Sequence, residues 1–163
     1  MRKRRVMTAI LWGGLVIWLG IIYYFSTQNG EQTAATGMLW AKKLSVIVYE
    51  NPSDAQIADF HMILRKSAHL FLFSLLGSIT TWISAVTFPK AKGILRAGYL
   101  FFAVCLTVGC GYFDEWHKQF ISGRHFDHAE TLLNMKAGIA GVIFAVAVIA
   151  VCRVVRYCME EEA

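Results

Sequence analysis

Four long apolar runs, separated by short polar stretches, set the pattern of the chain. Residues 6–25 form the first and hold no charged side chain. Residues 68–88, 97–113 and 132–152 form the others, with Lys136 in the first turn of the last. A helix crossing ~30 Å of hydrocarbon needs about 20 apolar residues, so each run predicts a transmembrane helix. The third run is the shortest. Between the first two, residues 26–66 are not featureless. Residues 37–49 mix Met38, Leu39, Trp40, Leu44, Val46, Ile47 and Val48 with Lys42 and Lys43, the pattern of an amphipathic helix lying in a membrane interface. Pro52 interrupts it, and Ser53-Asp54-Ala55-Gln56 has the form of a capping box that opens a helix continuing into the second span. The expected fold is all-α: a polytopic membrane protein of four transmembrane helices plus an outer interfacial amphipathic helix. Residues 1–163 form a single domain in this reading.

Composition agrees with that pattern. The 163 residues are 56% hydrophobic and 17% charged, and the mean hydropathy is +0.49, too apolar for an ordinary soluble domain. A net charge of +5 would fit a nucleic-acid partner if it were spread over one face. Instead the excess sits in clusters beside apolar runs, so no nucleic acid is expected. Arg2, Lys3, Arg4 and Arg5 precede the first span, Lys90, Lys92 and Arg96 lie between the second and third, and Arg153 and Arg156 follow the fourth. Four spans place all of these on one side, which the positive-inside rule makes cytoplasmic, with both termini inside. The basic N-terminus followed by an apolar run has the outline of a signal peptide. That run is longer than a usual signal core and no Ala-x-Ala site follows, so it reads as a retained span. Cys105, Cys110, Cys152 and Cys158 lie in or beside apolar runs and read as reduced packing residues.

The same topology gathers a second, mixed-sign set at the outer face. Arg65, Lys66 and His69 open the second span; Asp114 and Glu115 close the third. Gln119 and Arg124 lie in the next loop, and Glu130 and Asn134 open the fourth span. His61, Arg65 and His69 share one helix face by their spacing of four, as do Glu130, Asn134 and Gly138. Ionised groups at the edge of hydrocarbon need a partner, so Arg65 and Arg124 are expected to pair with Asp114, Glu115 or Glu130. Taken singly, Lys66, Lys118 and Lys136 have the alternative of snorkelling to lipid phosphates. The nine residues Arg65, Lys66, His69, Asp114, Glu115, Gln119, Arg124, Glu130 and Asn134 form the candidate ligand-binding set. Asp114-x-x-His117 and His125-x-Asp127-His128 offer metal-type ligands but match no zinc signature, so no metal and no cofactor is expected. Ser67 and Ser122 carry no nucleophile-elbow sequence. If the protein is an enzyme, Asp114, Glu115 and His69 are its acid–base candidates, although nothing in their spacing demands catalysis. Ala137, Gly141 and Ala145 form a small-residue stripe for close helix approach, and Gly109 and Gly111 are assigned the same role. The Trp and Tyr residues read as interface anchors.

The ordered motifs Arg65-Lys66-x-x-His69, Asp114-Glu115-x-x-x-Gln119-Phe120, Arg124 and Glu130-x-x-x-Asn134, with Gly138 and Gly141, resemble the VanZ-like family. Phe25-Ser26-Thr27-Gln28 is also similar to that family's segment after its first span. The resemblance covers residues 20–145. Glu130 stands where the family usually has aspartate, and Ser122-Gly123 where it tends to have Pro-Gly. The resemblance implies a multi-pass protein of the bacterial cytoplasmic membrane. It also brings a link with teicoplanin, a lipid-tailed glycopeptide antibiotic, through the family's name-giving member, but no settled enzymatic activity. Three roles follow: binding of a lipid-linked or amphiphilic envelope ligand, acid–base chemistry on a lipid-linked substrate, or an accessory subunit with a structural salt-bridge cluster. A homo-oligomer or a membrane-protein partner fits the packing stripe.

Overall fold

The computed structural model describes residues 2–161; Met1, Glu162, Ala163 and the side chains of Arg2, Lys3 and Arg4 lie outside the described residues, so Arg5 alone represents the N-terminal basic cluster. Five helices follow in order: α1 (Arg2–Thr27), α2 (Gly30–Val48), α3 (Asp54–Thr87), α4 (Gly93–Lys118) and α5 (His128–Glu161). The protein is all-α, and α1, α3, α4 and α5 are long and apolar enough to cross a membrane. The fifth, α2, is the short helix expected between the first two spans.

Each boundary has a local cause. At Ser53 the side chain accepts from the Gln56 amide at 3.3 Å while Gln56 Oε1 accepts from the Ser53 amide at 2.9 Å, the reciprocal box expected there. Asn29 and Gln32 form a second box, at 2.8 and 3.3 Å, and start α2 seven residues earlier than its apolar pattern does (30 rather than 37). Asp127 opens α5 by accepting from the amides of Ala129 and Glu130 at 2.7 and 3.3 Å. Its carboxylate at a helix N-terminus is favourable on charge as well. At 1.5 Å per residue, the 34-residue helices α3 and α5 are each about 50 Å long, well beyond a ~30 Å hydrocarbon layer. Their ends therefore stand clear of it.

The central pair is α3 and α5, with α4 packed on α5 and both α1 and α2 packed on α3. Small residues bring the central pair together: a Cβ added at Gly141 would collide with the Ser74 carbonyl oxygen, and one at Gly77 with that of Gly138. Ser78 Oγ donates to the Gly141 carbonyl at 3.0 Å across the same seam. Ala137, Gly141 and Ala145 are all buried, as the stripe predicts. A Cβ added at Gly111 would meet Asn134 Cβ at 3.2 Å, but one at Gly109 would meet nothing within 4 Å, so Gly109 does not serve close helix approach. Phe73, Leu76, Leu15, Ile22 and Ile83 fill the core. The cysteines are free; Cys110 is partly buried and packs against the core as expected, while Cys105, Cys152 and Cys158 are exposed and do not. Trp18, rather than anchoring at an interface, donates from Nε1 to the Leu72 carbonyl at 3.0 Å and ties α1 to α3.

Candidate functional site

One end of the bundle carries a buried polar cluster built from three helices. α4 continues past its apolar stretch to Lys118, and its last turns bury Asp114, Glu115 and Lys118. α3 contributes Arg65 and His69 one turn apart, and α5 contributes Glu130 and Asn134 one turn apart. Lys118 is the hub. It is 2% exposed, lies 2.9 Å from Asp114, is ion-paired to Glu115 and sits 3.9 Å from Glu130. Lys118 therefore does not snorkel to lipid. Its partners lie three and four residues before it on α4, and that Asp114-Glu115-x-x-Lys118 spacing was the available signal. A buried ammonium is tolerated because carboxylates surround it.

Arg65 is ion-paired to Glu130, as expected, and its side chain is 46% exposed. His69 Nδ1 lies 2.8 Å from Asn134 Oδ1, and Asn134 Nδ2 donates to Asp114 Oδ2 at 3.4 Å. A carboxylate is acceptor-only, so Nδ2 is the donating end of the Asn134 amide and Oδ1 its accepting end. It follows that His69 donates from Nδ1, and in the neutral ring the Nε2 lone pair is then free.

Arg124 does not pair with a carboxylate. Its Nη1 donates to the backbone carbonyls of Phe25, Ser26 and Gln28 at 3.4, 3.3 and 3.1 Å. The α4–α5 loop is thereby strapped to the α1–α2 turn. The Gly30 amide donates to the Ser122 carbonyl at 3.2 Å in the same junction. Gly123 adopts φ 73 there, a left-handed conformation suited to glycine. Burial pushes the Arg124 guanidinium below its ordinary value, nearby Asp114 and Glu115 push it back up, and Arg65 opposes them. Lys66 and Gln119 are exposed and outside the cluster. Of the nine candidate residues, the structure brings together Arg65, His69, Asp114, Glu115, Glu130 and Asn134, sets Arg124 beside them and leaves Lys66 and Gln119 apart.

The cluster forms the floor of a cavity of about 550 Å³. Its walls are apolar: Trp18, Ile22 and Phe25 from α1, Trp40 and Leu44 from α2, and Leu64, Phe71 and Leu72 from α3. Arg65, His69, Asp114, Lys118 and Arg124 line its polar end, and Glu115 and Glu130 are paired with two of these, Lys118 and Arg65. The cavity exists because α1 and α2 each pack on α3 but make few contacts with one another. Thr33 is among the residues lining it, and its Oγ1 is buried with no hydrogen-bond partner among the described residues. The sequence pattern did not reveal this space, since the α2 residues that wall it read as an interfacial face.

The model of the family described as VanZ/LLP1 matches residues 11–151. The match spans most of the chain, including every cluster residue. No curated protein and no solved structure matches. The chain belongs to the VanZ/LLP1 family.

Proposed function

For this VanZ/LLP1 family membrane protein, we propose that the cavity and its polar floor bind a lipid-linked or amphiphilic ligand of the bacterial envelope at the outer membrane face. The observation that carries this reading is a single cavity that is apolar along its walls and charged at one end. An amphiphile has the same division. Its chain gains by leaving water for the surfaces of Trp18, Phe25, Trp40 and Leu44. Its head meets Arg65, His69 and Lys118 at the polar end. Pockets of this size, lined mostly by apolar side chains with a few convergent polar groups, are the usual form of small-ligand sites. A link to teicoplanin-type resistance is the finer form of the proposal, because that drug carries a lipid tail.

The test uses protein purified in mild detergent, with bound lipids extracted and identified by mass spectrometry. One envelope amphiphile should co-purify with the wild type. It should be depleted in Thr36→Trp and Leu44→Trp, which fill the cavity from α2, and in Arg65→Ala, with size-exclusion profiles unchanged. Equal lipid content in all four proteins would sink the reading. For the drug link, expression in a susceptible bacterium should raise tolerance to teicoplanin more than to a glycopeptide without a lipid tail. Equal tolerance to both would remove that part alone.

A further inference from the structure

At the polar end of the cavity, which His69 lines, the nitrogen and oxygen ligand atoms of His69, Glu115 and Glu130 lie within 4.8 Å of one another. We propose that these three side chains form a binding site for a divalent transition-metal ion of the zinc–manganese class.

The set has the right donor chemistry: one imidazole nitrogen and two carboxylate oxygens, contributed by α3, α4 and α5. The imidazole is already oriented for the task. Metal-binding histidines characteristically donate their second ring N–H to a fixed oxygen, which sets the tautomer and aims the other nitrogen at the ion. Here Asn134 Oδ1 accepts from His69 Nδ1 at 2.8 Å, and Asn134 is itself held by Asp114. The remaining nitrogen, Nε2, faces Glu130 Oε2 at 3.9 Å. With the ring neutral, both are acceptors, and a cation held between them would satisfy both.

Charge points the same way. Among the buried groups, the carboxyls of Asp114, Glu115 and Glu130 face the ammonium of Lys118, with Arg65 paired to Glu130 at the rim. When all three are ionised, the carboxylates outnumber the two cations that pair with them, Lys118 and Arg65, and the set favours a further cation. Arg65 is half exposed and Arg124 is engaged with backbone carbonyls, so both are edge groups. Lys118 is the competitor. Its ammonium holds Glu115 and approaches Glu130, and it would withdraw toward Asp114, 2.9 Å away, as the ion enters. The loop set His125, Asp127 and His128 is less suited, because the Asp127 carboxylate already caps α5.

The experiment titrates Mn²⁺ into metal-stripped, detergent-purified full-length protein and follows loss of the free-ion electron paramagnetic resonance signal, with Zn²⁺ as competitor. One saturable site per chain is expected, displaced by Zn²⁺. Its affinity should fall at least tenfold in Glu130→Gln and in His69→Ala and be unchanged in His125→Ala/His128→Ala. Lys118→Met, which removes the competing ammonium, should bind Mn²⁺ more tightly and gain more thermal stability from it than the wild type does. The proposal is overturned by an absence of saturable binding in wild type and Lys118→Met alike, by weaker binding in Lys118→Met, or by binding that survives Glu130→Gln and is lost with the loop histidines. Metal binding is read without the amphiphile, so it stands or falls separately from the ligand proposal.

Discussion

At the scale of single residues, Lys118 takes the carboxylate partners that the sequence suggests for Arg124, and Arg124 takes backbone carbonyls. Both lie just beyond the third apolar run, where a cation ordinarily reaches for lipid phosphate or a nearby carboxylate. α4 continues through Lys118, and helical geometry then turns its side chain inward onto Asp114 and Glu115. Arg124 falls after the helix ends and finds carbonyls instead. Taking one partner from a buried ion pair leaves the other charge unpaired in low dielectric, at a cost of about 3–5 kcal/mol. Lys118→Met should therefore lose stability of that order when unfolding is followed in detergent with a chelator present. A loss below ~1 kcal/mol would mean that the cluster is hydrated or its carboxylates protonated. Arg124→Ala should cost less, roughly 1.5–3 kcal/mol, the worth of hydrogen bonds from a charged donor. Its signature is local: proteolysis should rise at the α1–α2 turn while the α3–α5 seam stays protected. Cleavage that is unchanged in Arg124→Ala would show that the strap does not hold the turn.

At the scale of elements, the apolar runs predicted all four spanning helices, and the capping box at Ser53 located the start of α3. Those signals are local, so they were readable without a structure. The Asn29-x-x-Gln32 box was equally local but lay in a polar stretch where hydropathy directs no attention, and α2 consequently begins earlier than its apolar pattern does. Helix pairing is different, because small residues announce closeness without naming the partner. Gly141 meets Ser74 and Gly111 meets Asn134, while Gly109, two positions away from Gly111, meets nothing. The physical difference is which side of α4 each faces. Gly141→Leu and Gly77→Val should therefore force α3 and α5 apart at backbone contacts, costing 1–3 kcal/mol or more. Both should reduce the monodisperse fraction on size exclusion. Gly109→Ala should leave it unchanged, and a comparable loss there would contradict the assigned packing.

At the scale of the whole molecule, the residues that form the cluster were mostly legible, but the cavity above it was not. Arg65, His69, Asp114, Glu115, Glu130 and Asn134 could be gathered from topology alone, because three spans place their polar ends at one level. The cavity depends on how α1 and α2 lean on α3 while leaving a gap between them, and that is a property of packing rather than of any segment. Its meaning depends on which side of the membrane it faces. Four spans put Arg5, Lys90, Lys92, Arg96, Arg153 and Arg156 at the end opposite the cluster, and translocating that many cations is unfavourable. We therefore propose that the cluster end faces outward. Single cysteines placed in a background lacking the four native ones make this measurable. A membrane-impermeant maleimide should label Glu31→Cys, beside the cavity, in intact cells. Lys92→Cys, at the other end, should label only after the membrane is permeabilised. The reverse pattern would turn the cavity toward the cytoplasm and exclude an envelope ligand. Labelling of both positions in intact cells would show that the chain inserts in two orientations, in which case the basic clusters do not decide its topology.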